Sequence, residues 1–164
     1  MNTLQFNKSP LIIAFEKENQ EIIELILSKQ CCHEIKSYLF YNSTTLNQIK
    51  IPRSITAICD SAFENCTSLI HISIPDSVTS IGHSAFEGCS SLTEIEIPPS
   101  ITAIEGWSFK SCISLANVKL PPTITKIGEF AFHGCCSLKE IQLPSSLTDI
   151  GPWAFPHETN IIKI

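Results

Sequence analysis

Apolar residues return to the same places along this chain at an interval of 23 residues. Five prolines mark the interval. Counting forward from each proline, an apolar residue stands three and six positions on, and a phenylalanine stands eleven positions on in every unit. The prolines are Pro52, Pro75, Pro98, Pro121 and Pro144, and the phenylalanines are Phe63, Phe86, Phe109, Phe132 and Phe155. A fixed period of this length predicts a repeat protein whose units stack on one another.

Each unit ends in a short segment with alternating apolar residues, such as the run from Leu92 through Ile95 to Ile97. Alternation predicts a half-buried β-strand, and the proline that follows ends it because proline cannot donate a ladder hydrogen bond. One unit cannot cover its own apolar face, whereas stacked units cover one another. We therefore expect strands that pair in parallel, with rungs about 4.8 Å apart.

The segment from Leu69 to Ser91 carries the whole motif of the unit, LxxIxIPxSVTxIGxxAFxGCxS. The motif resembles the bacterial leucine-rich repeats named after the BspA surface proteins, the Treponema class, and the resemblance covers about 135 of the 164 residues. It implies an α/β repeat solenoid, a curved stack with a parallel β-sheet on the concave face. It also implies a non-catalytic protein–protein interaction module, with cell-surface adhesion to host or matrix proteins as the alternative.

The chain divides at about residue 30. Residues 30–164 hold the repeats, with one eroded unit before five clear ones, of which the last is incomplete. Residues 1–29 have a helical period and predict a helical cap over the first rung. Within them, residues 9–28 resemble the helix pair of one ankyrin repeat, so the remnant of a longer ankyrin array is the alternative. The matching positions are Ser9, Pro10, Leu11, Ala14, Ile22, Ile23, Leu25, Ile26 and Leu27.

Composition narrows the class of protein. Hydrophobic residues make up 43% of the chain and charged residues 16%, which predicts a sizeable core and argues against disorder. The net charge of -5 disfavours a non-specific nucleic-acid surface, because such a surface needs a basic face. We find no apolar run of the roughly 18–20 residues that span a membrane, and no secretory signal. We expect a cytoplasmic protein, or a cell-surface protein if an export signal precedes this sequence.

Four of the eight cysteines recur at the repeat interval, at Cys66, Cys89, Cys112 and Cys135. The chain has no CxxC pair, and the runs Cys31-Cys32-His33 and Cys135-Cys136 have the wrong geometry for one metal ion. In-register Cβ atoms about 4.8 Å apart exceed the roughly 3.8 Å that a disulfide prefers. We predict a buried ladder of free structural thiols, with no metal and no cofactor.

Hydroxyl groups stand where the commoner leucine-rich repeats carry an asparagine ladder, and we expect them to bond backbone groups of the turns. They form two columns, Ser54, Ser77, Ser100, Thr123 and Ser146, and Thr45, Ser68, Ser91, Ser114 and Ser137. Glycines recur at a third position, Gly82, Gly128 and Gly151. These glycines are expected to permit tight backbone.

One pair of residues resembles a general acid–base pair of an active site. His71 and Glu94 stand at the same repeat position on adjacent predicted strands. A general acid–base pair needs a nucleophile or an oxyanion donor beside it, and the sequence identifies neither. We expect a solvated surface pair and no enzymatic activity.

A first candidate binding surface consists of strand residues that alternate with the core. They should face the concave side, and their acidic middle rungs favour a protein partner with a basic patch. An ordinary polar face is the alternative, since aromatic anchors are missing from these positions. The residues are Gln48, Lys50, His71, Ser73, Glu94, Glu96, Asn117, Lys119, Glu140 and Gln142, followed by Lys163.

A second candidate surface is the column nine residues after each proline. It contains Ser61 and Ser84, and then three aromatic residues on consecutive rungs, Trp107, Phe130 and Trp153. Aromatic residues dominate the binding energy of many interfaces, so the three could form a binding stripe. The alternative is a stacking ladder that shields the turn before the core phenylalanines.

The sequence places Lys163 and Ile164 on a strand with an open outer edge. Open edges pair readily with other chains. We expect either an end-to-end homodimer through this edge or a chain that continues beyond Ile164.

Overall fold

The computed structural model describes residues 33–164, which form short β-strands joined by turns. The strands are β1 (Glu34–Ile35), β2 (Gln48–Lys50), β3 (Ala57–Ile58), β4 (His71–Ser73), β5 (Ser80–Ile81), β6 (Glu94–Glu96), β7 (Ala103–Ile104), β8 (Asn117–Lys119), β9 (Lys126–Ile127), β10 (Glu140–Leu143), β11 (Asp149–Ile150) and β12 (Asn160–Lys163). These residues contain no helix. The helical cap predicted for residues 1–29 lies outside the described residues.

The strands stack as parallel rungs on two faces. Even-numbered strands form the ladders β2–β4, β6–β8 and β10–β12, and odd-numbered strands form β1–β3–β5 and β7–β9–β11. Ile49 pairs with Ile72, and Ile95 with Val118, so the register equals the sequence period. The predicted parallel solenoid is confirmed. Within residues 33–164, the two-residue, odd-numbered strands and the turns form the side opposite the even-numbered strands.

Phenylalanine rings form the axis of the core. Phe40, in the eroded unit, stacks on Phe63 with ring centroids 4.8 Å apart. The stack continues at separations from 5.2 Å to 5.6 Å through Phe86, Phe109, Phe132 and Phe155. Because Phe40 is fully buried and β1 pairs with β3, the eroded unit is a true sixth rung.

The cysteine column is a ladder of buried thiols. Each Sγ donates a hydrogen bond of 3.0–3.1 Å to the carbonyl oxygen of the phenylalanine 26 residues earlier, from Cys66 to Cys135. Burial raises the pKa of the Cys135 thiol to about 12, and it raises the pKa of Cys112 well above the ordinary value. All six cysteines within residues 33–164 are free, so the predicted thiol ladder is confirmed.

The first hydroxyl column also joins rungs. Ser77 donates to the carbonyl oxygen of Ile55 at 2.7 Å, and Ser146 donates to that of Ile124 at 2.7 Å. The acceptors are turn carbonyls, as expected, but they belong to the preceding rung. Ser54 begins this column, and its buried hydroxyl has no partner among the described residues.

Two turn positions in each unit but the last have a left-handed backbone, and the last unit has one. The first is filled by residues that tolerate this conformation, Asn42, Asn65, Gly88, Ser111 and Gly134. The second is the column of the aromatic residues, with φ from 52° to 63° at Tyr38, Ser61, Ser84, Trp107, Phe130 and Trp153. A left-handed conformation costs a residue with a Cβ about 1–2 kcal/mol. Four aromatic side chains, those of Tyr38, Trp107, Phe130 and Trp153, therefore stand where the backbone disfavours them.

The glycine column lies where successive rungs approach closely. A Cβ on Gly128 would overlap the amide nitrogen of Gly106, and a Cβ on Gly151 would overlap that of Glu129. The expected tight backbone is confirmed. Its cause is the approach of a neighbouring rung, since neither glycine has a left-handed φ.

The last rung is three residues shorter than predicted. In the β10–β12 ladder, Asn160 lies opposite Glu140 and Lys163 lies opposite Leu143. The placement of Lys163 in the same column as Glu140 is therefore wrong. The reason is local: Glu158, at the position of the column cysteine, is exposed, because a carboxylate cannot replace a buried thiol without a large desolvation cost.

Candidate functional site

Exposed side chains of β2, β4, β6, β8 and β10 form a continuous surface, which we call the strand face. All ten strand residues proposed from the sequence, from Gln48 to Gln142, are exposed on it. The residues between them point inward, and Ile49, Ile95 and Ile141 are only 2–3% exposed. This follows from the alternation of side chains along a strand. The predicted orientation is confirmed, whereas binding by these residues stays a prediction.

A groove of about 560 Å³ lies on the strand face over β2, β4, β6 and β8. Its middle is acidic, because Glu94 and Glu96 project from β6 and Asp76 joins them from the turn after β4. Lys50 on β2 and Lys119 on β8 line its two ends. Sequence reasoning missed Asp76, since it stands outside the alternating strand positions.

The carboxylates of β6 differ in their partners. Glu96 lies 3.6 Å from the ammonium of Lys119, and both side chains are 76% exposed. A pair this exposed contributes about 0–1 kcal/mol, so it opens readily. Glu94 has no ion pair within residues 33–164. Its charge is available to a binding partner.

His71 and Glu94 line the same groove and are both exposed. No hydrogen bond or ion pair joins them in the part of the chain that the structure describes. His71 presents hydrogen-bonding groups to the groove, and Glu94 presents a carboxylate.

The three aromatic residues proposed as a binding stripe differ in how far they are buried. Trp107 and Phe130 are half-buried and pack together with ring centroids 5.2 Å apart, and Phe130 also meets His133 edge-on at 5.4 Å. Their interplanar angles are 50° and 73°, so these two rings pack against neighbours in tilted and edge-on geometry, and the stacking ladder stays a prediction. Trp153 is instead 69% exposed. Binding by the column stays a prediction.

Lys110 covers the ring of Trp107. Its ammonium lies 3.7 Å from the ring centroid, which is a cation–π contact. The same ammonium makes an ion pair of 3.1 Å with Glu87 on the preceding rung. The sequence reasoning did not single out Lys110, although it follows Trp107 by three residues.

A second groove, of about 500 Å³, lies on the opposite side over β3, β5 and β7. Its polar lining includes Cys59, Asp60 and Glu105. Burial, followed by the negative charge of Glu34, raises the pKa of the Cys59 thiol. A thiol with a raised pKa is a poor nucleophile at neutral pH, so the groove offers little covalent chemistry.

Residues 33–164 contain no cluster of three or more histidine, cysteine or acidic side chains that could hold a metal ion. Cys31 and Cys32 lie outside the described residues. None of the described segments is a helix long and apolar enough to cross a membrane.

The parallel 23-residue rungs, the phenylalanine stack and the exposed strand face define a leucine-rich-repeat solenoid. The chain belongs to the family described as the BspA type leucine rich repeat region, which matches residues 14–163 in six copies. The match begins inside the segment for which we predict helices. Proteins with such repeats are generally protein-interaction or surface modules. No curated protein matches the chain.

Solved bacterial structures share the fold. A leucine-rich repeat protein from Bacteroides ovatus is 35% identical, with a TM-score of 0.70 over 77% of this chain and 32% of its own. A leucine rich cell surface protein from Faecalibacterium prausnitzii is 36% identical, with a TM-score of 0.73 over 80% of this chain and 36% of its own. The leucine rich repeat protein of T. pallidum is 32% identical, with a TM-score of 0.66 over 78% of this chain and 65% of its own. The chain thus spans about a third of the first two proteins.

Proposed function

We propose that the protein is a non-catalytic protein–protein interaction module that binds a basic segment of a partner protein on the strand face. The observation that carries the proposal is the acidic centre of the groove. There Glu94 has no ion pair within the described residues, and Glu96 is held only by an exposed lysine. Complementary charge favours a basic partner and speeds its association.

The shape of the surface supports the same proposal. The ladders β2–β4 and β6–β8 hold their side chains at fixed spacing, and β10 is paired with β12, so within each ladder a ligand meets a surface that is already ordered. Preorganised surfaces bind more tightly because less conformational entropy is lost on binding. Trp107, Phe130 and Trp153 offer a separate aromatic contact, and aromatic side chains are frequent anchors of interfaces.

Adhesion at a cell surface is the second candidate. It is favoured by the likeness to the Faecalibacterium cell surface protein. The free thiols favour the cytoplasmic alternative, because Cys136 is exposed and unbridged, and exposed free thiols are uncommon in secreted proteins. The binding chemistry of the groove is the same in either compartment.

Pairing of two copies along β12 is a further contact that we propose. Ile150, Ile161 and Ile164 are 44–64% exposed around this last rung. Sedimentation velocity over a range of concentrations tests it, and a monomer at every concentration would contradict it.

The charge of the groove is tested with two fluorescein-labelled octapeptides, one of alternating lysine and serine and one of alternating glutamate and serine. The lysine peptide should raise fluorescence anisotropy on titration, and the glutamate peptide should not. Binding should weaken as salt rises from about 0.05 M to about 0.3 M, because salt screens exposed charges.

The variant Glu94→Gln/Glu96→Gln should weaken binding of the lysine peptide by about tenfold, since it removes two charges from the contact. Glu105→Gln is the control, because Glu105 is exposed and lines the groove on the side opposite the strand face. Equal binding of both peptides, or equal effects of both variants, would overturn the proposal.

A further inference from the structure

Trp107 and Trp153 occupy the same turn position on rungs two apart, and only one of the two rings carries a charged neighbour. Their backbones agree, with φ of 63° and 58°. The ring of Trp107 lies under the ammonium of Lys110. The residue at the corresponding place after Trp153 is Pro156, which carries no charge, and Trp153 is 69% exposed.

The two turns are also fixed to the preceding rung in the same way. The carbonyl oxygens on either side of Trp107, those of Gly106 and Ser108, accept backbone hydrogen bonds of 3.2 Å and 2.8 Å. Those on either side of Trp153, from Pro152 and Ala154, accept bonds of 3.0 Å and 2.7 Å. Equal backbone conformation and equal anchoring place the Cβ atoms of the two tryptophans alike on the stack.

An exposed tryptophan at this position lowers the stability of the folded protein in two ways. Its backbone is left-handed, which disfavours residues with a Cβ, and its ring leaves apolar surface in water. Trp107 offsets the same backbone cost through its contacts with Phe130 and Lys110. The left-handed φ is common to this turn position on every rung, so the exposure of the ring is what distinguishes Trp153 from Trp107.

We propose that Trp153 binds an arginine or lysine side chain of the partner protein, in the place that Lys110 fills on Trp107. The face of an indole ring attracts cations. Asp149, four residues before Trp153, and Glu129, on the preceding rung, are exposed, and the chain has a net charge of -5. Lys126 lies opposite Asp149 in the β9–β11 ladder and offsets part of this charge, so the remaining carboxylate of Glu129 and the net charge of -5 favour a cation over a neutral side chain. The proposal rests on the proposed function for its protein partner but not on the strand face.

The sequence contains only two tryptophans, so fluorescence can report on this ring alone. In Trp107→Phe, all tryptophan emission comes from Trp153. We would titrate this variant with a blocked Gly-Arg-Gly peptide and with the same peptide carrying uncharged citrulline. The arginine peptide should change the emission saturably and bind at least about threefold tighter than the citrulline peptide. Equal responses to the two peptides would overturn the proposal.

Two further variants separate a cation site from unspecific quenching. Pro156→Lys, added to Trp107→Phe, should cover Trp153 from within the chain and reduce arginine binding by about threefold. Lys110→Met, in a Trp153→Phe background, should uncover Trp107 and create an arginine response that Trp153→Phe alone lacks. If neither variant changes the response, the proposal fails. Urea unfolding confirms that each variant is folded, and Lys110→Met decides the matter if Pro156→Lys does not fold.

The strand-face variant Glu94→Gln/Glu96→Gln keeps the two proposals apart. It should leave the Trp153 response to the arginine peptide unchanged, because neither glutamate lies on the turns. Loss of the tryptophan site with retained binding of the lysine octapeptide would refute the inference about Trp153 alone. Loss of octapeptide binding with a retained tryptophan response would refute the strand-face proposal alone.

Discussion

The thiol of Cys112 donates a hydrogen bond of 3.1 Å to the carbonyl oxygen of Phe86, which also accepts the amide proton of Cys89 at 3.2 Å. One carbonyl thus joins its own turn to the next rung. The fully buried sulfur fills the space between the two. The cysteine column is a connection between rungs as well as part of the apolar core.

Replacing Cys112 with alanine should lower the free energy of unfolding by about 1–2 kcal/mol, through a small cavity and one lost weak hydrogen bond. The carbonyl of Phe86 keeps its bond from Cys89, so the loss should stay in this range. Urea unfolding measures it. Cys136→Ala is the control, because Cys136 is exposed, and a loss of equal size there would contradict the role given to the column.

The same thiols predict loss of stability in alkaline solution. Burial raises the pKa of Cys112, and it raises that of Cys135 to about 12, whereas the pKa of a cysteine in an unfolded chain is about 8.5. Above about pH 8.5 the unfolded chain releases thiol protons that the folded chain keeps, so the free energy of unfolding falls as pH rises. Below that pH this contribution to stability is fully present.

The contribution of one thiol can be isolated by comparing Cys112→Ala with the unmodified protein at about pH 8 and about pH 10. The variant should lose about 1 kcal/mol less stability over that interval, because one fewer buried thiol is involved. Identical losses in the two proteins would show that Cys112 does not have a raised pKa.

We predict that a substitution in the phenylalanine stack lowers the free energy of unfolding more than one in the aromatic turn column. Phe109 is fully buried between Phe86 and Phe132, so Phe109→Ala should cost about 3–5 kcal/mol. Phe130 is half-buried in the turn column, and Phe130→Ala should cost less than about 1.5 kcal/mol. Chemical unfolding compares the two. Equal costs would mean that the turn column is as much a part of the core as the stack.

The close approach of rungs predicts a steric limit at Gly128. Gly128→Ala would push a Cβ into the amide of Gly106 and should cost about 1–3 kcal/mol. Gly106→Ala is the matched substitution, because its Cβ would lie 3.3 Å from the carbonyl oxygen of Glu129, and it should cost less. Thermal or urea unfolding ranks the two, and the reverse order would contradict this account of the glycine column.

The sequence predicted the rungs, the phenylalanine stack and the thiol ladder because each depends on one residue type repeated at one interval. The residues at the first left-handed position, such as Asn42, Asn65 and Gly88, tolerate that conformation, although the sequence reasoning did not single them out. The second position gave no signal, because Trp107 and Trp153 are residues that the conformation disfavours. Residue propensities cannot predict a position where a residue adopts a backbone conformation that is unfavourable for its type.

Side-chain contacts between units were also beyond sequence reasoning. The contact of Lys110 with Trp107 and Glu87 depends on turn geometry that the repeat period does not specify. The short last rung was missed because Ile161 and Ile164 fit the apolar columns at the regular spacing. The register follows instead from Glu158, which cannot enter the core.

The central claim, that the strand face binds a basic segment, is tested most directly by an amide NMR titration with the lysine–serine octapeptide. We predict that the largest chemical-shift changes on the two strand faces occur at β4, β6 and β8, around Glu94, and that the amides of β3, β5 and β7 on the opposite face change little. Changes concentrated on β3, β5 and β7, or equal on both faces, would contradict the claim.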